Sequence, residues 1–120
     1  MNIAVTSQNR HSITGHAGKC RKFWLYEIEQ GSVKGKQLLE LPVKTTLHAQ
    51  HHALPEPLAG INVLISGGMG AGLYHRLMQR GVLPVITVEE NPDQAIAAFL
   101  ANALERFPPQ SDHQCHDHAH

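Results

Sequence analysis

The sequence predicts an α/β fold built on one mixed sheet, and three features carry that prediction. Residues 23–28, Phe-Trp-Leu-Tyr-Glu-Ile, and residues 33–41 are β-prone and separated by a short turn at Gly31 and Ser32, as in a hairpin. Residues 61–66, Ile-Asn-Val-Leu-Ile-Ser, form a nearly continuous apolar run that enters a glycine turn, the pattern of a strand buried on both faces. Two stretches of helical apolar period follow, one before and one after a further apolar strand.

In chain order, residues 2–7 read as a short buried strand centred on Ile3, Ala4 and Val5, and the polar residues 8–19, with Gly15 and Gly18, as a loop. The hairpin comes next, its second arm closed by Pro42. Residues 43–57 sustain no period, and Pro55 and Pro57 bracket Glu56, so a loop is expected with at most a short helix near residues 54–59. The turn Gly67-Gly68-Met69-Gly70-Ala71-Gly72 leads into a helix with Leu73, Leu77 and Met78 on one face. His75, Arg76, Gln79 and Arg80 lie on the other, and Gly81 serves as left-handed cap. Residues 83–88 make another strand. In the final helix Asn91 is the cap, Pro92 the first position and Gln94 the return partner of a capping box. Its buried stripe is Ala95, Ile96, Phe99, Leu100, Ala103 and Leu104, and Pro108 and Pro109 stop it. The result is a mixed five-stranded sheet, an antiparallel meander followed by a parallel β-α-β-α unit, compatible with a ribonuclease-H-like topology. One domain over residues 1–107 is expected, with a flexible His-rich tail over residues 108–120 that is too polar to bury anything.

A chain of 120 residues with 42% hydrophobic content suffices for one core. Ten Lys and Arg balance ten Asp and Glu, which removes the basic excess that nucleic-acid backbone binding relies on. No apolar run approaches the roughly 20 residues needed to cross a bilayer, and the first residues hold neither a basic leader nor a signal core. A cytoplasmic protein with no membrane or nucleic-acid partner is therefore expected. A nuclease of this topology needs carboxylates on its central strands, but residues 2–7 have none and the aspartates are Asp93, Asp112 and Asp117 alone. No G-x-S-x-G or similar context supports a hydrolase, so the chain is not expected to be an enzyme.

Ten histidines stand out. His16 and Cys20 lie four apart in the first loop, where Lys19, Arg21 and Lys22 add positive charge; such a setting lowers a thiol pKa and pairs a soft thiolate with an imidazole. The bland alternative is a small buried Cys20 and a solvated His16. His48, His51 and His52 give an H-x-x-H-H spacing that serves a metal or merely faces water. His75 is expected to be solvated. In the tail, His113, Cys115, His116, His118 and His120 form a compositional metal-binding tract; a purification tag is the rival reading, which the interrupting Asp, Gln, Cys and Ala disfavour. With no secretory signal, free or metal-ligating thiols are favoured over a Cys20–Cys115 disulfide. The run from Gly67 to Gly72 fits neither a dinucleotide fingerprint nor a P-loop, which leaves a structural turn or a seat for an anion at a helix start.

Ile3-Ala4-Val5, then Gly15-His16-Ala17-Gly18-Lys19-Cys20 leading into Phe23-Trp24-Leu25-Tyr26-Glu27, then Val63-Leu64-Ile65-Ser66-Gly67-Gly68-Met69-Gly70, together resemble the dinitrogenase iron-molybdenum cofactor biosynthesis family, the small domain of NifX-type carriers and of the end of NifB-type proteins. The family's first-loop pattern is usually His-Phe-Gly-Arg-Cys, so His16, Gly18 and Cys20 match while Ala17 and Lys19 depart. The resemblance implies a ribonuclease-H-like fold and non-catalytic binding or carrying of an iron-sulfur or iron-molybdenum type cluster or its precursor, exchanged with cluster-donor or acceptor proteins. It implies cofactor-binding roles for His16, Lys19, Cys20, Gly68, Met69 and Gly70, with His16 and Cys20 as the metal ligands. Two alternatives stand beside it: a His-rich protein handling nickel, zinc, copper or cobalt as divalent ions at the tail, and an interaction or regulatory module that has lost the cluster site.

Overall fold

A computed structural model of the chain describes residues 1–15, 17, 20–41 and 58–109. Its elements are β1 (Asn2–Thr6), β2 (Lys22–Glu29), β3 (Ser32–Glu40), β4 (Val63–Ser66), α1 (Ala71–Gln79), β5 (Leu83–Ile86) and α2 (Pro92–Leu100). The five strands form one sheet in the order β3-β2-β1-β4-β5. β1–β2 and β2–β3 are antiparallel, whereas β1–β4 and β4–β5 are parallel, so the meander and the parallel unit share β1.

Local chemistry accounts for these elements. The hairpin turns through Gln30 (φ 53°) and Gly31 (φ 76°), both left-handed, which matches the twist of a two-residue connection between Glu29 and Ser32. A register shift after Glu27 pairs Ile28 with Val33 and leaves Lys34 as the extra residue of a bulge on the edge strand. Side chains alternate across the sheet. Ala4, Phe23, Leu64 and Ile86 pack on one face with Leu73 and Leu77 of α1, while Ile3, Val5, Tyr26, Ile65 and Val85 pack on the other with Ala95 and Ile96 of α2. The apolar run of β4 is therefore buried on both sides, between β1 and β5, with Leu64 and Ile65 fully covered. Each such side chain stabilises the fold by about 1.5–3 kcal/mol. Pro84 is accommodated because β5 lies at the sheet edge.

Each helix departs in one respect from a simple periodic extrapolation, α1 in its buried face and α2 in its end. In α1, Gly81 (φ 82°) donates to Met78 and Val82 to Leu77, a left-handed cap as expected, but Met78 is exposed and Tyr74 packs against the core in its place. In α2 the helix stops at Leu100, well before Pro108: Asn102 (φ 59°) donates to Phe99 and Ala103 to Ala98, closing the same kind of cap with asparagine. Ala103 is consequently exposed, while Leu104 still reaches the α2-side core. The chain then returns past β5, where the Phe107 amide donates to the Ile86 carbonyl and its ring joins the α1-side core. Asn91 caps α2 by accepting the Gln94 amide at 3.0 Å, but the Asn91 amide goes to Glu89 Oε2 rather than to Gln94, so the capping box is only half formed. Among the described residues no helix is long and apolar enough to cross a membrane.

Candidate functional site

β1, β4 and β5 are parallel, so the loop after β1, the glycine turn after β4 and the segment after β5 gather at one end of the sheet. The first loop is built on an Asx turn, with Asn9 Oδ1 accepting the amides of His11 and Ser12. It then runs across the strand ends. Ile13 donates to the Glu90 carbonyl at 2.8 Å, Thr14 to the Thr6 carbonyl at 3.0 Å, Gly67 to the Thr14 carbonyl at 3.0 Å, and Ala17 to the Gly68 carbonyl at 3.1 Å. The first loop and the glycine turn are thus tied backbone to backbone. The contact is tight at Gly67, where a Cβ would lie 3.3 Å from the carbonyl carbon and oxygen of Thr14 and the backbone would have to give by a few tenths of an ångström.

Two buried hydroxyls, which sequence reasoning missed, brace this junction. Thr6 Oγ1 donates to the Thr14 carbonyl at 2.6 Å. Ser66 Oγ donates to the Gly68 carbonyl at 2.9 Å and accepts the Gly68 amide at 3.2 Å, fixing both ends of that residue. Thr6 and Ser66 follow the paired residues Val5 and Ile65 on adjacent strands, and both are fully buried. Their only sequence signal is a hydroxyl at the end of each of two apolar strands.

Beyond the glycine turn, α1 begins behind Gly70 with no side-chain cap and no acidic residue in its first turn. The positive end of its dipole is met by no side chain of its own, as an anion seat requires.

Cys20 is where the structure departs most from expectation. The thiol is buried in the α1-side core beside Ala17 and Phe23 and donates to the Lys22 carbonyl at 3.0 Å. Burial pushes its pKa above the ordinary thiol value, the reverse of the lowering expected from its basic neighbours. Contacts with the Lys22 and Ser7 backbone, the Thr14 hydroxyl and the Arg21 charge act in the other direction without overcoming burial. Met69 is likewise a core residue, with Gly68 beside it buried and Gly70 half-buried. His75 is exposed on α1, its ring edge-on to Tyr74. His16 and Lys19 lie outside the described residues, as do His48, His51 and His52 and the tail residues His113, Cys115, His116, His118 and His120. Among the described residues no group of three or more His, Cys, Asp or Glu stands together as a metal cage.

Comparison with known proteins places this architecture. An uncharacterised protein of Methanocaldococcus jannaschii is 29% identical over 109 residues, spanning 89% of this chain and 92% of that one. The crystal structure of PH0822 superposes with a TM-score of 0.72 at 23% identity, covering 88% of this chain and 94% of the other. The apo form of the orange protein from Desulfovibrio gigas superposes with a TM-score of 0.66 at 16% identity, covering 90% and 93%. These two solved structures share the fold. The family described as dinitrogenase iron-molybdenum cofactor matches residues 1–102, and the chain belongs to that family.

Proposed function

We propose that this chain binds and carries an iron-sulfur or iron-molybdenum type cluster, or its precursor, without catalysis, at the junction of the first loop and the glycine turn. The observation that supports it is the backbone tie between Ala17 and Gly68 beside the uncapped start of α1, in a chain whose family is one of generally accessory and carrier proteins. The cluster is cargo. Thiolate-rich or sulfide-rich clusters are anionic, so the amides behind Gly70 and the charge of Lys19 and Arg21 complement them, while His16 and Cys20 supply nitrogen and sulfur ligands.

The donor set meets this role on one condition. Cys20 becomes a ligand only when its thiol leaves the Lys22 carbonyl and loses its proton, which a metal's charge favours and burial alone opposes. The Thr14 hydroxyl and the Arg21 charge favour the thiolate, while the Ser7 amide donates to the Lys22 carbonyl at 2.9 Å. Delivery to and from donor or acceptor proteins follows from a carrier role.

Anaerobic reconstitution with ferrous iron, sulfide and molybdate, read by visible absorption and metal analysis, tests the proposal. The chain ending at residue 109 should take up a chromophore that the His16→Ala/Cys20→Ser double variant, in the same background, does not. Equal occupancy in both would remove the site. A second reading rests on the sequence of the tail alone: its four histidines and Cys115 bind a divalent transition ion. That affinity should vanish on deleting residues 110–120 and collapse below about pH 6, where imidazoles protonate.

A further inference from the structure

The buried hydroxyls of Thr6 and Ser66 donate to carbonyls that already have a backbone partner, although Ser66 also accepts the buried Gly68 amide, and this doubling points to a task. The Thr14 carbonyl already accepts the Gly67 amide at 3.0 Å, and the Gly68 carbonyl already accepts the Ala17 amide at 3.1 Å. Thr6 adds a second, shorter bond of 2.6 Å to the first of these carbonyls, and Ser66 a second bond of 2.9 Å to the other. Each hydroxyl therefore doubles one of the two backbone ties that hold the first loop against the glycine turn. Ser7 repeats the device one residue on, its Oγ donating to the Ser12 carbonyl at 2.8 Å. Two points of the loop, Ser12 and Thr14, are in this way pinned by side chains at the carboxyl end of β1, and Ser66 at the end of β4 also lies 3.3 Å from the Thr14 carbonyl.

Building on the cluster-carrier reading, we propose that Thr6 and Ser66 are positioning residues of the seat: they fix the loop backbone at Thr14 and Ala17 relative to the glycine turn, and so set the span between loop ligands and the α1 amides. Rigid sheet positions are where such support is most effective, because a site held only by loop backbone drifts by the fraction of an ångström that weakens ligation. Outer-shell partners of this kind are worth about 10–100-fold in metal affinity. Losing the Thr6 hydroxyl leaves the Thr14 carbonyl still paired with Gly67, so Thr6→Val orphans no carbonyl and the fold should persist.

The test uses the full chain and its Thr6→Val, Thr6→Ser and Ser66→Ala variants, each titrated anaerobically with ferrous iron and sulfide. Uptake is followed by the visible absorption of the iron-sulfide chromophore, with thermal melting in metal-free buffer as the measure of fold. Thr6→Val is expected to need about tenfold more iron and sulfide for half-occupancy, at the lower end of outer-shell effects, with a small change in melting. Thr6→Ser, which restores the hydroxyl, should return uptake to the wild-type midpoint, a rescue that a packing role for the lost methyl would not give. Uptake in Thr6→Val within twofold of wild type overturns the positioning role while leaving the seat intact. A wild-type chain that forms no chromophore overturns the seat itself, a separately visible result that takes the positioning role with it. Should Thr6→Val melt below the assay temperature, Ser66→Ala decides: a raised midpoint supports the proposal and an unchanged one overturns it.

Discussion

Helix α2 starts behind Asn91, whose Oδ1 takes the Gln94 amide, and carries Asp93 in its first turn, where Tyr26 and Lys36 hold the carboxylate. Helix α1 starts behind Gly70, with neither a side-chain cap nor an acid in its first turn. Both follow parallel strands of one sheet, and both are nine residues long. The α2 end is closed by its own chain, at a gain of about 1 kcal/mol for the cap. The α1 end forgoes that gain, and the turn that leads into it is tied at Gly67 and Gly68 to the backbone of the first loop. The contrast separates a helix start closed by its own side chains from one that they leave uncapped.

The largest effect on this contrast comes from crowding the turn that leads into α1. A Cβ at Gly67 would lie 3.3 Å from the Thr14 carbonyl carbon and oxygen, backbone atoms that cannot swing aside. Gly67→Val should therefore cost about 2 kcal/mol by overpacking and lower the melting temperature by several degrees. A variant that melts like wild type would show that the two loops are not locked together.

Next comes the charge of the same end. Ala71→Asp places a carboxylate in the first turn of α1, where it favours the helix but competes for the dipole with an anionic cargo. Cluster uptake should fall about tenfold with no loss of melting temperature, the tenfold equating to about 1.4 kcal/mol. Undiminished uptake would mean that the α1 amides do not face the cargo. Asn91→Ala makes the opposite test: it should lower stability by about 1 kcal/mol, as an N-cap loss does, and leave uptake unchanged.

These asymmetries were only partly legible in the sequence. The doubly apolar run of β4, the hairpin flanking Gly31 and the caps at Gly81 and Asn91 follow from local rules, and the structure has them all. The end of α2 escaped because Asn102 is an uncommon left-handed residue in a stretch whose apolar period runs on to Leu104. At the site, the glycines were legible but their reason was not, since the clash at Gly67 is with Thr14, far away in sequence. Cys20 illustrates the same limit: its basic neighbours argue for a thiolate, whereas its burial is set by Ala17 and Phe23 on one side and Leu41 and Met69 from elsewhere in the chain. Thr6 and Ser66 carried no pattern at all beyond ending their strands.

The smallest expected effects belong to the α2 end and depend on pH. Asp93 Oδ1 accepts from Tyr26 Oη at 2.7 Å and from Lys36 Nζ at 2.9 Å, and Lys36 also lies 4.5 Å over the Trp24 ring. The Tyr26 bond, then the Lys36 bond, hold the Asp93 carboxyl below its ordinary value of 3.8. A depressed folded-state pKa contributes stability that is present above the unfolded value and is lost as pH falls through the folded one. Burial first, then the bond and charge of Asp93, push the Tyr26 hydroxyl above its ordinary value of 10.0. That contribution is complete below the unfolded value and is lost as pH climbs toward the folded one, because the unfolded tyrosine ionises first. Asp93 is 67% exposed, so solvent screens the pair and its share should stay below about 1 kcal/mol. Melting curves should therefore show Asp93→Asn flattening the decline below about pH 4 and Tyr26→Phe flattening the decline above about pH 10, the windows set by the two ordinary values. Neither substitution should alter cluster uptake at neutral pH, since both act at the start of α2, which its own side chains already close. A Tyr26→Phe variant that keeps the wild-type alkaline slope would show that this hydroxyl is not the group protected by α2.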